Sequence, residues 1–340
     1  MRVAVIGAGA FGRNHARVYH DLQQKNEGVE LAAVVDADPA RAQSIASQFR
    51  ARPFASVREM LDECKPDAAS VAVPTVHHLA VARELMEAGV DVMIEKPIAP
   101  SLAEADEMIR VANQGHRVAQ VGHLERFNPA VRATVPLITR PMFFEVHRLS
   151  VFTPRALDVD VVLDLMIHDL DIVLSFVSSP VKEVRAVGLP ILSGKVDIAN
   201  VRMEFDSGCV ANFTASRVST EKVRKVRFFQ PKQYFSLDYS RQDVFVATVD
   251  SAAVAQAIAT GAVAPEALGS LIKPQKPTVV PDEPLRAELR SFLDAVRHRT
   301  RPVVSLEDGR RALAVALDIL ASIGEHNKRV HMESMWAPRA

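Results

Sequence analysis

One stretch near the N-terminus restricts the fold more than any other: Val3-Ala4-Val5-Ile6 runs without a break into Gly7-Ala8-Gly9-Ala10-Phe11-Gly12. An apolar run without polar alternation reads as a strand of a parallel sheet covered on both faces. The GxGxxG that follows reads as a tight turn opening a helix. The hexapeptide alone is common, and its context gives it weight: strand before, helix after, and Asp36 closing the next strand-like run, 30–35. About 20 residues past the last glycine is where an acidic side chain meets the ribose of a bound dinucleotide. The glycines let the backbone approach a pyrophosphate, and the helix N-terminus supplies N–H donors and partial positive charge. Gly7, Gly9, Ala10, Phe11, Gly12 and Asp36 are therefore expected to bind the cofactor. Asp36 repels a 2′-phosphate, so NAD is expected rather than NADP, with Arg41 nearby as a cation that softens the preference.

The alternation continues to residue 122. Strand-like runs at 2–6, 30–35, 69–73, 91–94 and 117–121 are separated by helix-like stretches at 11–22, 39–49, 56–64, 76–88 and 101–113. Asp38-Pro39 opens one helix, Ser101 with Glu104 caps another, and Gly89 ends a third. Right-handed βαβ units of this kind build a doubly wound α/β sheet, the Rossmann architecture. After about residue 140 a helical run at 159–177 precedes strand-like segments at 181–191, 197–206, 209–216, 222–230, 233–238 and 242–248, with Asp206-Ser207-Gly208 as a hairpin turn. This predicts an α+β domain with a mostly antiparallel sheet. The 340 residues divide into an expected dinucleotide-binding domain at 1–122 and a substrate-binding and oligomerisation domain at 123–340. Residues 251–272 are Ala-rich and helix-like without an evident task. Pro274, Pro277, Pro281 and Pro284 mark a connector before amphipathic helices at 284–299 and 305–327.

Ligands of doubly wound sheets bind beyond the carboxyl ends of the strands. The loops there carry Pro74-Thr75-Val76-His77-His78 and Glu95-Lys96-Pro97. A lysine ending a buried strand reaches into a polar crevice or lies in a surface loop, and the proline after it fixes the turn and permits a cis bond. Read as one regular helix, 159–177 gathers Asp160, Asp164, His168 and Asp171 on a narrow stripe of an otherwise apolar cylinder. The stripe lines a site or faces water.

These residues together resemble the glucose–fructose oxidoreductase / inositol dehydrogenase / MocA family over nearly the whole chain. The matching features are the GxGxxG with Asp36, Pro74 with His78, Glu95-Lys96-Pro97, Arg126-Phe127-Asn128-Pro129, Asp164 with His168, and the Glu288 to Phe292 helix. The resemblance implies an oxidoreductase in which Lys96, Asp164 and His168 form the catalytic group. It adds Pro74, Thr75, His78, Glu95 and Lys96 to the cofactor site, and implies a C-terminal sheet that serves substrate binding and assembly as a homodimer or homotetramer. In such a dehydrogenase an imidazole, with an ordinary pKa of about 6.5, takes the hydroxyl proton. Asp164 one turn earlier positions it, and Lys96 stabilises the developing alkoxide. The segments 121–131 and 165–171 are most similar to the UDP-N-acetylglucosamine 3-dehydrogenase branch, which implies oxidation of a UDP-sugar 3-hydroxyl. Glu125, Arg126, Asn128 and Arg155 are then the expected substrate-binding residues, with Arg148 and Arg217 as further cations for the diphosphate. Two alternatives stay open: a free sugar or cyclitol dehydrogenase, and a non-catalytic NAD(P)-binding sensor.

The remaining composition narrows the partners. Lys+Arg and Asp+Glu are both 41, which disfavours a nucleic-acid partner. No apolar run is long enough for a membrane span, and Val3 to Ile6 is too short for a signal sequence. Cys64 and Cys209 have no metal-ligand spacing and suit a reducing compartment, so a cytoplasmic protein without a metal is expected.

Overall fold

The computed structural model describes residues 1–153, 159–259 and 271–331. The chain folds into two compact units, Met1–Phe127 with Glu283–Ala314, and Asn128–Asp282 with Val315–Ala340.

The first unit is the Rossmann domain. Its strands are β1 (Arg2–Ile6), β2 (Glu30–Val35), β3 (Arg52–Phe54), β4 (Ala68–Val71), β5 (Asp91–Glu95) and β6 (Ala119–Gly122), in the order β3-β2-β1-β4-β5-β6. Every pairing among them is parallel. The covering helices are α1 (Ala10–Gln24), α2 (Pro39–Phe49), α3 (Val57–Glu63), α4 (His78–Glu87) and α5 (Leu102–Gln114). Their starts follow the expected chemistry: Asp38 accepts from the amides of Ala40 and Arg41, and Ser101 from that of Glu104. The three-residue β3 is too short to show a pattern in sequence.

A helix from late in the chain, α9 in chain order (Pro284–His298), completes this unit. Its Leu289, Phe292, Leu293, Ala295 and Val296 are buried in one cluster with Val18, Tyr19, Leu22 and Val34. Arg290 pairs with Glu27, and Arg17 with Glu283, at the border of that cluster. The sequence pattern suggests a single boundary after residue 122; the fold instead makes the first unit discontinuous, because the apolar face of α9 is buried on α1.

The second unit is built on an eight-stranded sheet: β7 (Phe143–Val151), β8 (Val181–Leu189), β9 (Ile198–Phe205), β10 (Val210–Ser219), β11 (Val223–Gln230), β12 (Gln233–Asp238), β13 (Asp243–Val249) and β14 (Ile272–Gln275), in the order β14-β13-β12-β11-β7-β10-β9-β8. All neighbours are antiparallel except β7 and β10. The expected hairpin turn is present, with Gly208 at φ +80°. The short helix α6 (Pro129–Thr134) precedes β7; α7 (Ile167–Phe176) and α8 (Ser251–Ala259) follow. Phe144, Phe176, Phe228 and Phe235 stack through the core on the α7 side. Strand β7 has no counterpart in the sequence reading, although it is central. Its core-facing positions are Phe144, Val146 and Arg148, and an arginine on the apolar face spoils the alternation that announces a strand.

The helix α10 (Leu306–Arg329) has residues in both units, to Ala314 in the first and from Val315 in the second. Among the described residues no helix is long and apolar enough to cross a membrane.

Candidate functional site

In the first unit the parallel sheet delivers the sequence-predicted residues to one edge. Gly7 follows β1, Asp36 follows β2, Pro74 and Thr75 follow β4, Glu95 and Lys96 end β5, and Glu125 and Arg126 follow β6. The turn after β1 admits only glycine at two places. Gly7 has φ +95°, and a Cβ on it would lie 2.6 Å from the carbonyl oxygen of Ala72. A Cβ on Gly12 would collide with the carbonyl of Gly7. Gly9 is different: a Cβ there meets nothing within 4 Å. That open space, at the N-terminus of a 15-residue helix, leaves room for an anionic group such as a pyrophosphate. Ala10 and Phe11 form the first turn of the helix, and Phe11 is exposed.

Asp36 is held rigidly. Its Oδ2 accepts the amide N–H of Ala8 at 2.7 Å and its Oδ1 that of Asp38 at 2.9 Å. Arg41 stands 3.6 Å from the same carboxylate. Those bonds fix the orientation of the carboxylate, and a negative charge fixed there disfavours a 2′-phosphate beside it. Asp36→Asn removes that charge while keeping one acceptor. It is expected to raise NADP affinity by about tenfold (~1.4 kcal/mol), as read by titrating NADPH fluorescence; unchanged discrimination would show that Asp36 does not set it.

His78 lies 1% exposed, with Nδ1 3.1 Å from the carbonyl of Pro97 and Nε2 3.0 Å from that of Val73. Burial holds this imidazole below its ordinary pKa against the pull of those carbonyls. The ring thus lies between the loop after β4 and the loop after β5, and in its neutral form donates to a carbonyl of one of them. Lys96-Pro97 is a cis peptide, and the Lys96 side chain is half-buried. The Glu95 carboxylate receives the amide N–H of Lys96 at 3.2 Å and lies 2.9 Å from Nε2 of His15. Burial raises the Glu95 carboxyl, but the hydrogen bond and charge of His15, with Lys96 behind them, leave it below its ordinary value.

In the second unit the expected regular helix over 159–177 is corrected. Asp160 precedes the helix and accepts the amide of Val196 at 2.9 Å. Residues Val162–Met166 form a π-helical turn, and only then does α7 begin. A wider turn rotates successive side chains less than 100°, so the even 100° spacing assumed for the stripe does not hold across Val162–Met166. Asp164 and His168 are both half-buried, whereas Asp171 is buried. π-turns of this kind concentrate at functional sites.

Three residues considered for the substrate site, Asn128, Arg148 and Arg217, have partners within the protein. Asn128 is buried, caps α6 by accepting from Ala130, and donates to the carbonyl of Tyr239 at 3.0 Å. Arg148 grips Asp169 with two bonds of 2.6 and 2.8 Å, both side chains 3% exposed. Arg217 is buried beside Asp197 and donates to the carbonyls of Val159 and Val196. That Asp197 carboxyl, which burial raises but which accepts from Ser193, Leu192 and Ile191, is held at about 2. Arg155 lies outside the described residues. His15 and Asp169 escaped the sequence reading; a histidine on the buried face of α1 was the only available signal for the first, and Asp169 had none.

Comparison with known proteins agrees with this architecture. Residues 1–123 match the model of an oxidoreductase family with an NAD-binding Rossmann fold, and residues 139–232 match the GFO/IDH/MocA C-terminal domain. The chain is 36% identical over 324 residues to the UDP-N-acetylglucosamine 3-dehydrogenase of Acidithiobacillus ferrooxidans, covering 95% of this chain and 97% of that one. The solved structure of that enzyme superposes with a TM-score of 0.84 at 34% identity, over 95% of this chain and 97% of the other. Inositol 2-dehydrogenase 1 of Paenarthrobacter aurescens is 31% identical over 225 residues, 62% of this chain and 66% of its own. The chain belongs to the GFO/IDH/MocA oxidoreductase family, with an NAD-binding Rossmann fold in its N-terminal part.

Proposed function

We propose that this protein is an NAD-dependent dehydrogenase that oxidises a secondary hydroxyl of a sugar nucleotide, the 3-hydroxyl of UDP-N-acetylglucosamine or a related UDP-sugar. The observation that carries the reading is the 36% identity to an enzyme of that name across 97% of its length. NAD, when bound at Gly7 to Gly12 and Asp36, supplies the hydride acceptor. The protein's own share is proton and charge management. His168 accepts the hydroxyl proton, Asp164 one turn before it orients the ring, and Lys96 stabilises the alkoxide as it develops. Arg126, with Arg155, provides cation for the diphosphate, and Glu125 hydrogen-bonds the sugar.

A second reading, a free sugar or cyclitol dehydrogenase, draws on the 31% identity to an inositol 2-dehydrogenase. It also draws on Arg148 and Arg217, whose guanidinium groups are engaged with Asp169 and Asp197. The deciding experiment follows NADH absorbance with NAD and UDP-N-acetylglucosamine, then with myo-inositol and with glucose, each with a carbonyl-trapping reagent. Turnover on the nucleotide sugar alone supports the first reading. Turnover only on a free polyol replaces it with the second, and silence on all three with tight NAD binding points to a sensor.

The reading extends to a cytoplasmic homodimer or homotetramer assembled on the sheet of the second unit. Phe143, Phe229, Tyr234 and Phe245 touch one another in a row on the face away from α7. Phe229 and Phe245 are 41% and 40% exposed, an apolar surface that a second copy would cover. Light scattering is expected to give a mass of two or four chains; a monomer at micromolar concentration would remove this part.

A further inference from the structure

His15 lies on the buried face of α1, three residues past the last glycine of the turn, and is 1% exposed. Its Nε2 is 2.9 Å from Oε1 of Glu95, while Oε2 of Glu95 receives the amide N–H of Lys96 at 3.2 Å. One carboxylate thus touches both the helix that faces the pyrophosphate and the peptide from which the Lys96 side chain departs. Gly122, at the end of β6, makes the room: a Cβ there would lie 3.2 Å from Cδ and Oε2 of Glu95. The bridge is not needed to dock the helix. Val18, Tyr19 and Leu22 bury α1 on the sheet, and the Tyr19 hydroxyl already bonds Ser70 at 2.8 Å. Nor does a buried pair of this type add much net stability, since desolvation offsets the attraction.

We infer that His15 and Glu95 are positioning residues that couple the cofactor-binding helix to the orientation of Lys96. The inference rests on the reading of Lys96 as the group that stabilises the alkoxide. Misplacing such a group by about 1 Å costs on the order of a hundredfold in rate, so a link from the cofactor helix to its backbone has kinetic consequences that stability does not reveal.

The test combines His15→Leu, His15→Gln and Lys96→Ala, assayed with NAD and UDP-N-acetylglucosamine. His15→Leu is expected to lower kcat about tenfold to thirtyfold, with the Kd for NAD within about threefold of wild type. His15→Gln, which keeps an N–H donor, is expected to recover most of that loss. In the Lys96→Ala background His15→Leu should cost little more, because the group it positions is gone. Wild-type kcat in His15→Leu overturns the inference, as does a full multiplication of the two effects, or an equal loss of kcat and NAD affinity in both His15 variants. Wild-type turnover in Lys96→Ala removes the underlying reading, and the coupling falls with it. A readout without turnover is the ¹⁵N signal of the His15 imidazole. Adding NAD is expected to shift it, and Glu95→Gln to abolish that response; no response in the wild-type protein also overturns the inference.

Discussion

Lys96→Ala and His168→Ala are each expected to lower turnover at least about a hundredfold, ~2.7 kcal/mol of transition-state stabilisation, while leaving NAD binding nearly unchanged. The separation follows from where the groups lie. The backbone cradle proposed for the dinucleotide is Gly7 to Gly12 with Asp36, whose carboxylate is fixed by the amides of Ala8 and Asp38. Neither substitution touches those contacts. His168 sits on the first turn of α7, directly after the π-turn that carries Asp164. A base must be deprotonated to work, so kcat/KM in the wild type should rise with pH through the base's pKa and then level. In His168→Ala that rising limb should vanish along with the rate. The measurements are steady-state kinetics across pH and an NAD titration. Turnover like the wild type in either variant excludes that residue from the chemistry; an equal loss of NAD affinity reassigns it to the cofactor site.

Arg148→Ala is expected to be the most destabilising single change in the second unit, about 3–5 kcal/mol. Asp169 is 2% exposed, and both its oxygens accept from Arg148, so truncating the arginine removes two charge-assisted bonds from a carboxylate in the core. The guanidinium also lies over the ring of Tyr239, with 5.6 Å to the centroid. At roughly 2–4 °C per kcal/mol for a unit of this size, the melting temperature should fall by roughly 10 °C. Replacing both partners by apolar residues, Arg148→Met with Asp169→Leu, should restore most of the loss, since a well-packed apolar pair substitutes for a buried ion pair at little cost. Thermal denaturation of the three proteins checks this. From sequence, Arg148 is equally a candidate clamp for a substrate diphosphate. That role demands a different result: a raised KM for the nucleotide sugar at an unchanged melting temperature.

The glycine turn and the place of Asp36 were legible because their chemistry is local. A strand, a glycine turn and a helix start are consecutive in the chain, and the parallel sheet needs only its periodicity to bring Asp36 to the same edge. The loop after β5 was legible in part: Glu95-Lys96-Pro97 ends a buried strand as expected, and Lys96, read as either a crevice or a surface-loop lysine, is half-buried. The stripe on 159–177 was half legible. Asp164 and His168 remain partly accessible, as does Asp160, whereas Asp171 is buried, and the π-turn at Val162–Met166 is invisible to a 100° periodicity. Strand β7 was hidden by Arg148, whose place on the core face makes sense only once Asp169 is seen opposite it.

By itself the amino-acid sequence determined the succession of βαβ units, the glycine turn after β1, the acidic residue after β2 and the identity of the ionisable groups, because each depends on neighbours within a few residues or on a regular period. Tertiary structure alone decided how those charges are shared. It brought α9 from the far end of the chain onto α1, set His15 against Glu95, and paired Arg148 with Asp169 and Arg217 with Asp197. A buried charge is tolerated only with a partner at hydrogen-bonding distance. Such a partner can come from any distance along the chain, so no local pattern distinguishes an arginine that holds a substrate from one that holds the fold.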